Sequence, residues 1–237
     1  MTARIVFLDT ETTGLSAQQG DRVVELGCVE MVGRAATGRT FHYYLNPQGK
    51  AIDPGAKAVH GITAAFLADK PVFKDIAQDF IAFVQNAEVV IHNAPFDVGF
   101  LNAELERVGM KPLKVQASCT VTDTLVLAKN QYPGKRNSLD GLCDRFAVNR
   151  SNRNLHGALL DARLLAEVYL NLTRSQESLG MALQHASLPI LGRLDTAQLK
   201  PFSPTQGDQM AHENYLNAME EGKSGVPTVW RQPKQAA

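Results

Sequence analysis

The sequence lacks an excess of charge of either sign: 24 lysines and arginines balance 24 aspartates and glutamates. A protein that coats long stretches of nucleic acid is usually basic, because its affinity comes mainly from neutralising phosphates. The balance argues against tight, unassisted binding along a duplex, but not against a protein that grips only a strand end. Long hydrophobic runs are missing too. No unbroken apolar stretch exceeds five residues, so no membrane span is expected. The first residues hold only the run Ile5 to Leu8 before an acid, and no secretory leader is expected there. Cysteine is scarce. Cys28, Cys119 and Cys143 show no metal-like spacing, and an odd number suits a reduced, cytosolic compartment with buried thiols better than a disulfide framework. With 44 % hydrophobic residues in 237, the chain has the composition of a globular protein, not of a disordered or fibrous one.

Strand-like and helix-like patterns alternate over the first three quarters. Arg4 to Asp9 is a compact apolar run ended by Thr-Thr-Gly, which reads as a buried strand. Arg22 to Val32 and Thr40 to Leu45 continue the strand signal, with Gly33 and Gly38 bounding the connection, so a three-stranded meander is expected. Ile76, Phe80, Phe83 and Val84 repeat at helical spacing, and Glu88 to His92 is another short strand. Pro95 opens a helix carrying Phe96, Phe100, Leu101, Leu105 and Val108. Val121 to Lys129 and Ser138 to Phe146 read as helices, the second capped by Asn137 or Ser138. Leu160, Leu164, Leu165, Val168 and Leu172 form the most regular stripe. After Thr173, glycines and prolines punctuate a segment read as a linker, and a helical pattern returns from Gln209 to Glu221. The single tryptophan, Trp230, follows near the end.

Four acids in three places carry the chemistry. Asp9 and Glu11 lie two apart on a strand, so both project from one face. Two adjacent carboxylates repel, and the natural neutraliser is a hard divalent cation that takes oxygen ligands. Asp97 sits in the first turn of the helix opened by Pro95, where the helix dipole also favours an acid. Asp161 lies one turn into the Leu160 to Leu172 helix. His156, five residues earlier, is rotated about 140° away on a continuous helix, so it shares a site with Asp161 only from the turn before the helix. A histidine there is suited to activating water.

Together these residues resemble the DEDD-type 3′→5′ exonucleases of the ribonuclease H-like fold, in their histidine-containing branch. The motifs stand as Phe7-Leu8-Asp9-Thr10-Glu11-Thr12-Thr13-Gly14, His92-Asn93-Ala94-Pro95-Phe96-Asp97 and Leu155-His156-Gly157-Ala158-Leu159-Leu160-Asp161-Ala162. Val59-His60-Gly61-Ile62 and Pro133-Gly134-Lys135-Arg136-Asn137-Ser138-Leu139-Asp140 narrow the likeness to the proofreading epsilon subunits of bacterial DNA polymerase III. The resemblance implies an α/β fold: a mixed five-stranded sheet flanked by helices, followed by a linker and a short partner-binding segment. It implies that Asp9, Glu11, Asp97 and Asp161 hold two divalent metal ions, Mg²⁺ or Mn²⁺, and that His156 takes the proton of the attacking water. Thr10, Thr12, Thr13, Gly14, His60, Asn93 and Phe96 are the implied contacts to the terminal nucleotide, His60 being equally readable as a structural histidine. Where the family often has an acid after Asp-Pro, this chain has Gly55, so that contact is not expected.

The tail extends the likeness. The expected plan is an exonuclease domain over 1–174, a clamp-binding motif over 175–182, a linker over 183–207 and a polymerase-binding segment over 208–237. Gln176, Ser178, Leu179 and Met181 resemble a sliding-clamp motif, with Gln184 to Ile190 as a rival, and Trp230 resembles part of a tail that binds the polymerase catalytic (alpha) subunit. The implied partners are therefore a single-stranded or frayed DNA 3′ end, the alpha subunit and the sliding clamp, with room for a small accessory subunit, all in the cytoplasmic replisome. Two other readings stand beside this one: a free-standing exonuclease acting on RNA or short oligonucleotides, and a non-catalytic structural subunit of a polymerase complex.

Overall fold

The structure, a computed structural model, describes residues 3–110, 119–150, 155–174 and 204–221. The chain divides into two compact units, residues 1–184 and 185–237. In the first unit, β1 (Arg4–Thr12), β2 (Val23–Val32) and β3 (Ala35–Tyr44) form the meander. Two short strands, β4 (Glu88–Ile91) and β5 (Thr120–Asp123), add to it in parallel, giving one sheet of order β3-β2-β1-β4-β5. Between β3 and β4 lie α1 (Pro54–His60), α2 (Ala64–Leu67) and α3 (Phe73–Val84). Then α4 (Ala94–Arg107) joins β4 to β5, and α5 (Thr124–Gln131), α6 (Leu139–Phe146) and α7 (Ala158–Leu172) follow. In the second unit α8 (Gln206–Glu221) begins with Thr205 and Asp208 exchanging hydrogen bonds at its entry.

Alternation along β1 sorts the core. Val6 and Leu8 point to one face and pack with Phe80 and Phe83 of α3 and Phe100 and Leu101 of α4. Ile5 and Phe7 point to the other and pack with Ala162, Leu165 and Ala166 of α7. Each such side chain, fully buried, contributes roughly 1.5–3 kcal/mol of transfer free energy. A third cluster, including Ala128, Leu142, Cys143 and Val168, binds α5 and α6 to α7. All three cysteines are buried free thiols, and burial raises the Cys28 and Cys119 thiols above their ordinary range.

Two boundaries differ from the sequence reading. β3 begins at Ala35, because Gly33 at φ +62° and Arg34 suffice to turn the chain, so Ala35 and Ala36 already pair with Val32 and Met31. Gly38, expected to bound the connection, lies inside β3 beside an irregularity in its pairing with β2. The second difference concerns Val121 to Asp123, which form most of β5 and not the start of a helix. The β-branched Thr120, Val121 and Thr122 pair with Glu88, Val89 and Val90, and Asp123 ends the strand by accepting the Leu125 amide as the N-cap of α5.

Gly27 decides how close α7 comes. It pairs with Asp9 across β1 and β2, on the face that α7 covers. A Cβ there would fall on the Leu159 amide and the Ala158 carbonyl carbon. Gly27→Ala is therefore expected to cost about 2–3 kcal/mol, read as a lower midpoint in urea unfolding.

Candidate active site

β1, β4 and β5 run parallel, so their carboxyl ends share one edge of the sheet, the usual place for ligands in α/β folds. β1 extends through Thr12 and carries the acidic pair with it. Asp9 and Glu11 face the α7 side, like Ile5 and Phe7. Thr10 faces the α4 side, where its hydroxyl donates to Asp97 Oδ1 at 2.7 Å. One strand thus reaches both helices that carry the remaining acids.

Asp161 lies in the first turn of α7, and His156 precedes the helix by two residues, in the turn where sharing the site is possible. His156 Nδ1 is 3.2 Å from Asp161 Oδ2, and the His156 backbone amide donates to the Val59 carbonyl. Glu11, His156 and Asp161 each offer a ligand atom, and these atoms lie within 4.8 Å of one another. Two carboxylates and an imidazole at that separation offer ligand atoms to a divalent cation. Asp97 and Asp161 are nearly inaccessible, at 4 % and 3 % exposure, while the His156 side chain is 44 % exposed. Acids that far from water need a positive partner or a proton. Burial pushes the Asp97 carboxyl up to about 7, against the hydrogen bond from Thr10, which favours the charged form.

The turn after β1 is braced from inside. Thr12 Oγ1 donates to the Gly14 carbonyl at 2.6 Å, and Thr13 Oγ1 donates to Asp21 and accepts the Arg22 amide. A Cβ on Gly14 would strike the Asp21 carboxylate, so only glycine lets the turn close this tightly. The hydroxyls of Thr10, Thr12 and Thr13, residues expected among the nucleotide contacts, each bond within the protein. His60 is buried at the end of α1 with Nδ1 accepting the Ile62 amide, and burial keeps its pKa below the ordinary histidine value. Asn93, at φ +65°, is exposed and heads α4, its amide donating to Asp123. Phe96 is half-buried on the same helix against Phe100, ring centres 4.9 Å apart. Gln176, Ser178, Leu179, Met181 and Trp230 lie outside the described residues.

Sequence reasoning missed two residues here. Glu25 pairs with Glu11 across β1 and β2, is 3 % exposed, and accepts or shares a hydrogen bond with His42 Nε2 at 2.8 Å. Asp123 accepts both the Asn93 and Leu125 amides, tying the heads of α4 and α5 together. The strand period in β2 exposes Glu25 as an acid on the α7 side, but only the register with β1 sets it opposite Glu11.

The Asp97 shift has a sign that can be tested. Its folded pKa lies above the unfolded value, so in metal-free protein this group loses stability for the fold as pH rises from about 4 to 7. Asp97→Asn, which keeps an oxygen for Thr10 and carries no charge, is expected to raise the Tm of metal-free protein at pH 8. At pH 4 the two proteins should melt within about a degree of each other, and a difference of the same size at both pH values would contradict the assignment.

Comparison with known proteins agrees with this geometry. The exonuclease family profile matches residues 6–169. The chain is 45 % identical over 233 residues to the DNA polymerase III subunit epsilon of Pasteurella multocida, covering 94 % of this chain and 91 % of that one. The structure of exonuclease X in complex with 5′ overhanging duplex DNA is similar at a TM-score of 0.55 and 28 % identity, covering 73 % of this chain and 92 % of that one. The zinc-bound complex of Escherichia coli exonuclease I with single-stranded DNA shares the fold, at a TM-score of 0.66, 19 % identity, and 78 % and 43 % coverage. With its edge of acids and histidine on a mixed five-stranded sheet, the chain belongs to the exonuclease family and, within it, to the epsilon subunits of bacterial DNA polymerase III.

Proposed function

We propose that this chain removes 3′-terminal nucleotides from DNA, mispaired ones above all, as 5′-monophosphates, and does so as the proofreading subunit of a replicative polymerase. The observation that supports this most is the convergence of Glu11, His156 and Asp161 at the carboxyl edge of β1, with Asp97 fixed by Thr10 on the neighbouring helix.

Exonucleases of this family use divalent metal ions. In this reading Asp9, Glu11, Asp97 and Asp161 hold two of them, Mg²⁺ or Mn²⁺. When bound, the ions acidify the attacking water and stabilise charge on the leaving 3′-oxygen. His156 keeps Nδ1 on Asp161, and Nε2 takes the water proton. Because His156 is partly exposed, it passes that proton on to solvent. Thr10 holds the Asp97 carboxylate in one orientation, which keeps the charge where the ions need it. Phe96, Asn93, His60 and the Thr13-Gly14 turn contact the terminal base and sugar. Aromatic packing tolerates any base, as an editing site requires. Preference for mismatches then comes from fraying, since a mispaired end unpairs at lower cost.

The neutral charge fits an enzyme delivered to its substrate by tethering, which supplies effective concentration that its own electrostatics do not. In the same reading, Gln176, Ser178, Leu179 and Met181, within 175–182, meet the sliding clamp. Residues 183–207 serve as the linker, and 208–237 with Trp230 hold the polymerase catalytic (alpha) subunit. A small accessory subunit on the 1–174 domain is compatible with this plan, and the location is the cytoplasmic replisome.

The test is nucleotide release from a 3′-mispaired primer in Mg²⁺ or Mn²⁺. The parent chain should release 5′-monophosphates, and Asp9→Ala with Glu11→Ala should reduce release at least a thousandfold, about 4 kcal/mol of transition-state stabilisation. The metal should also raise the Tm of the parent and not of the double variant. Metal-independent release, or release that survives the double substitution, would overturn the reading. Removing residues 182–237 should leave hydrolysis of single strands intact and abolish co-elution with the polymerase subunit.

A further inference from the structure

Beyond the acids, the carboxyl edge of the sheet continues into a groove of about 770 Å³ at the ends of β4 and β5. Its walls include His92, Asn93, Lys129, Gly134, Lys135 and Asn137; among the described residues no acid lines it, and Asp123 behind the wall is engaged by the Asn93 and Leu125 backbone amides. Most cations elsewhere in the described residues are matched: Arg4 and Arg39 bind Glu30, Arg22 and Arg107 bind Glu104, and Arg150 binds Asp140 and Asp144. Lys129 and Lys135 are exposed and, among the described residues, have no carboxylate partner.

The wall that presents Lys135 is held rigidly. Asn137, 7 % exposed, donates from Nδ2 to the Tyr132 carbonyl and accepts from Arg145 at 3.1 Å. Arg145 also donates to the Arg136 carbonyl and stacks over the Tyr132 ring at 4.5 Å. On the opposite wall His92 Nδ1 is 2.9 Å from Thr124 Oγ1, and burial holds the ring below its ordinary pKa. A preformed groove with uncompensated ammonium groups suits a polyanion. Asn93 belongs both to this groove and to the head of α4, four residues before Asp97, so the groove and that acid share one end of α4.

We propose that this groove is the track for the strand upstream of the scissile bond, with Lys129 and Lys135 binding phosphates two or more nucleotides from the 3′ end. The inference rests on the exonuclease reading for the polarity of the strand, not for the binding itself.

Full-length parent and the double variant Lys129→Ala, Lys135→Ala are compared for binding of fluorescent dT2 and dT8 in EDTA, where nothing is cleaved, and for cleavage of dT8 in Mg²⁺. The parent should bind dT8 more tightly than dT2, and the variant should lose roughly tenfold on dT8 with dT2 unchanged. Its slope of log K against log salt should fall by about 1.4, from about 0.7 per phosphate released. In cleavage KM should rise with kcat kept, Lys129→Arg with Lys135→Arg should restore it, and Lys74→Ala on α3 should change nothing. If dT8 binds no better than dT2, or if the variant keeps the full length dependence, the groove is not the track. If length-dependent binding needs the lysines yet the parent cleaves nothing, the track stands and the exonuclease reading falls.

Discussion

The hydrogen bond from Thr10 to Asp97 joins residues 87 apart in sequence, and the arrangement of the site depends on it. It ties the carboxyl end of β1 to the first turn of α4. In doing so it keeps a buried carboxylate from turning into the apolar core behind it. Such a group is costly in low dielectric unless something positive or a hydrogen-bond donor reaches it. The hydroxyl supplies the donor, and a bound cation would supply the charge. A buried ion pair on the same helix backs it up. Glu104, wholly buried two turns along α4, receives the Arg22 guanidinium at 2.7 and 2.9 Å and the Val23 amide, which locks α4 to the start of β2.

The acids were legible in the sequence because their logic is local. Asp9 and Glu11 share a face by the period of a strand, and His156 lies just ahead of the Asp161 helix because Gly157 and Ala158 begin it. Residues whose meaning depends on a distant partner were not legible. Glu25 acquires its place only through its register with Glu11, and Thr10 only through α4. β5 was read as helix for the same reason. Its four residues carry too short a period to declare themselves, and they become a strand because β4 offers a parallel partner. The early start of β3 was hidden by Gly38, whose positive φ sits within the strand and not at its end.

Charge shows the same contrast between total and placement. A net charge of zero suggests little affinity for a polyanion, but it averages over matched pairs that present almost no field. Glu30 of β2, for example, is shared by Arg4 of β1 and by Thr37 and Arg39 of β3. Cations that remain unmatched at one edge carry weight beyond their number. A neutral protein with such an edge associates weakly with DNA at large while holding a delivered end, which suits an enzyme working beside a polymerase.

The central position of β1 has a bearing on biosynthesis. As the ribosome releases the chain, the β1–β2 hairpin forms early from local contacts, but β1 gains its parallel neighbour only when Glu88, 83 residues beyond its partner Ile5, has been made. Asp161 and His156 arrive later still, on an α7 that packs against β1 and β2 and comes close to Gly27. A chain that stops before α7 thus carries Asp9, Glu11 and Asp97 but neither His156 nor Asp161. The edge that gathers these side chains is therefore completed only when α7 packs on β1 and β2.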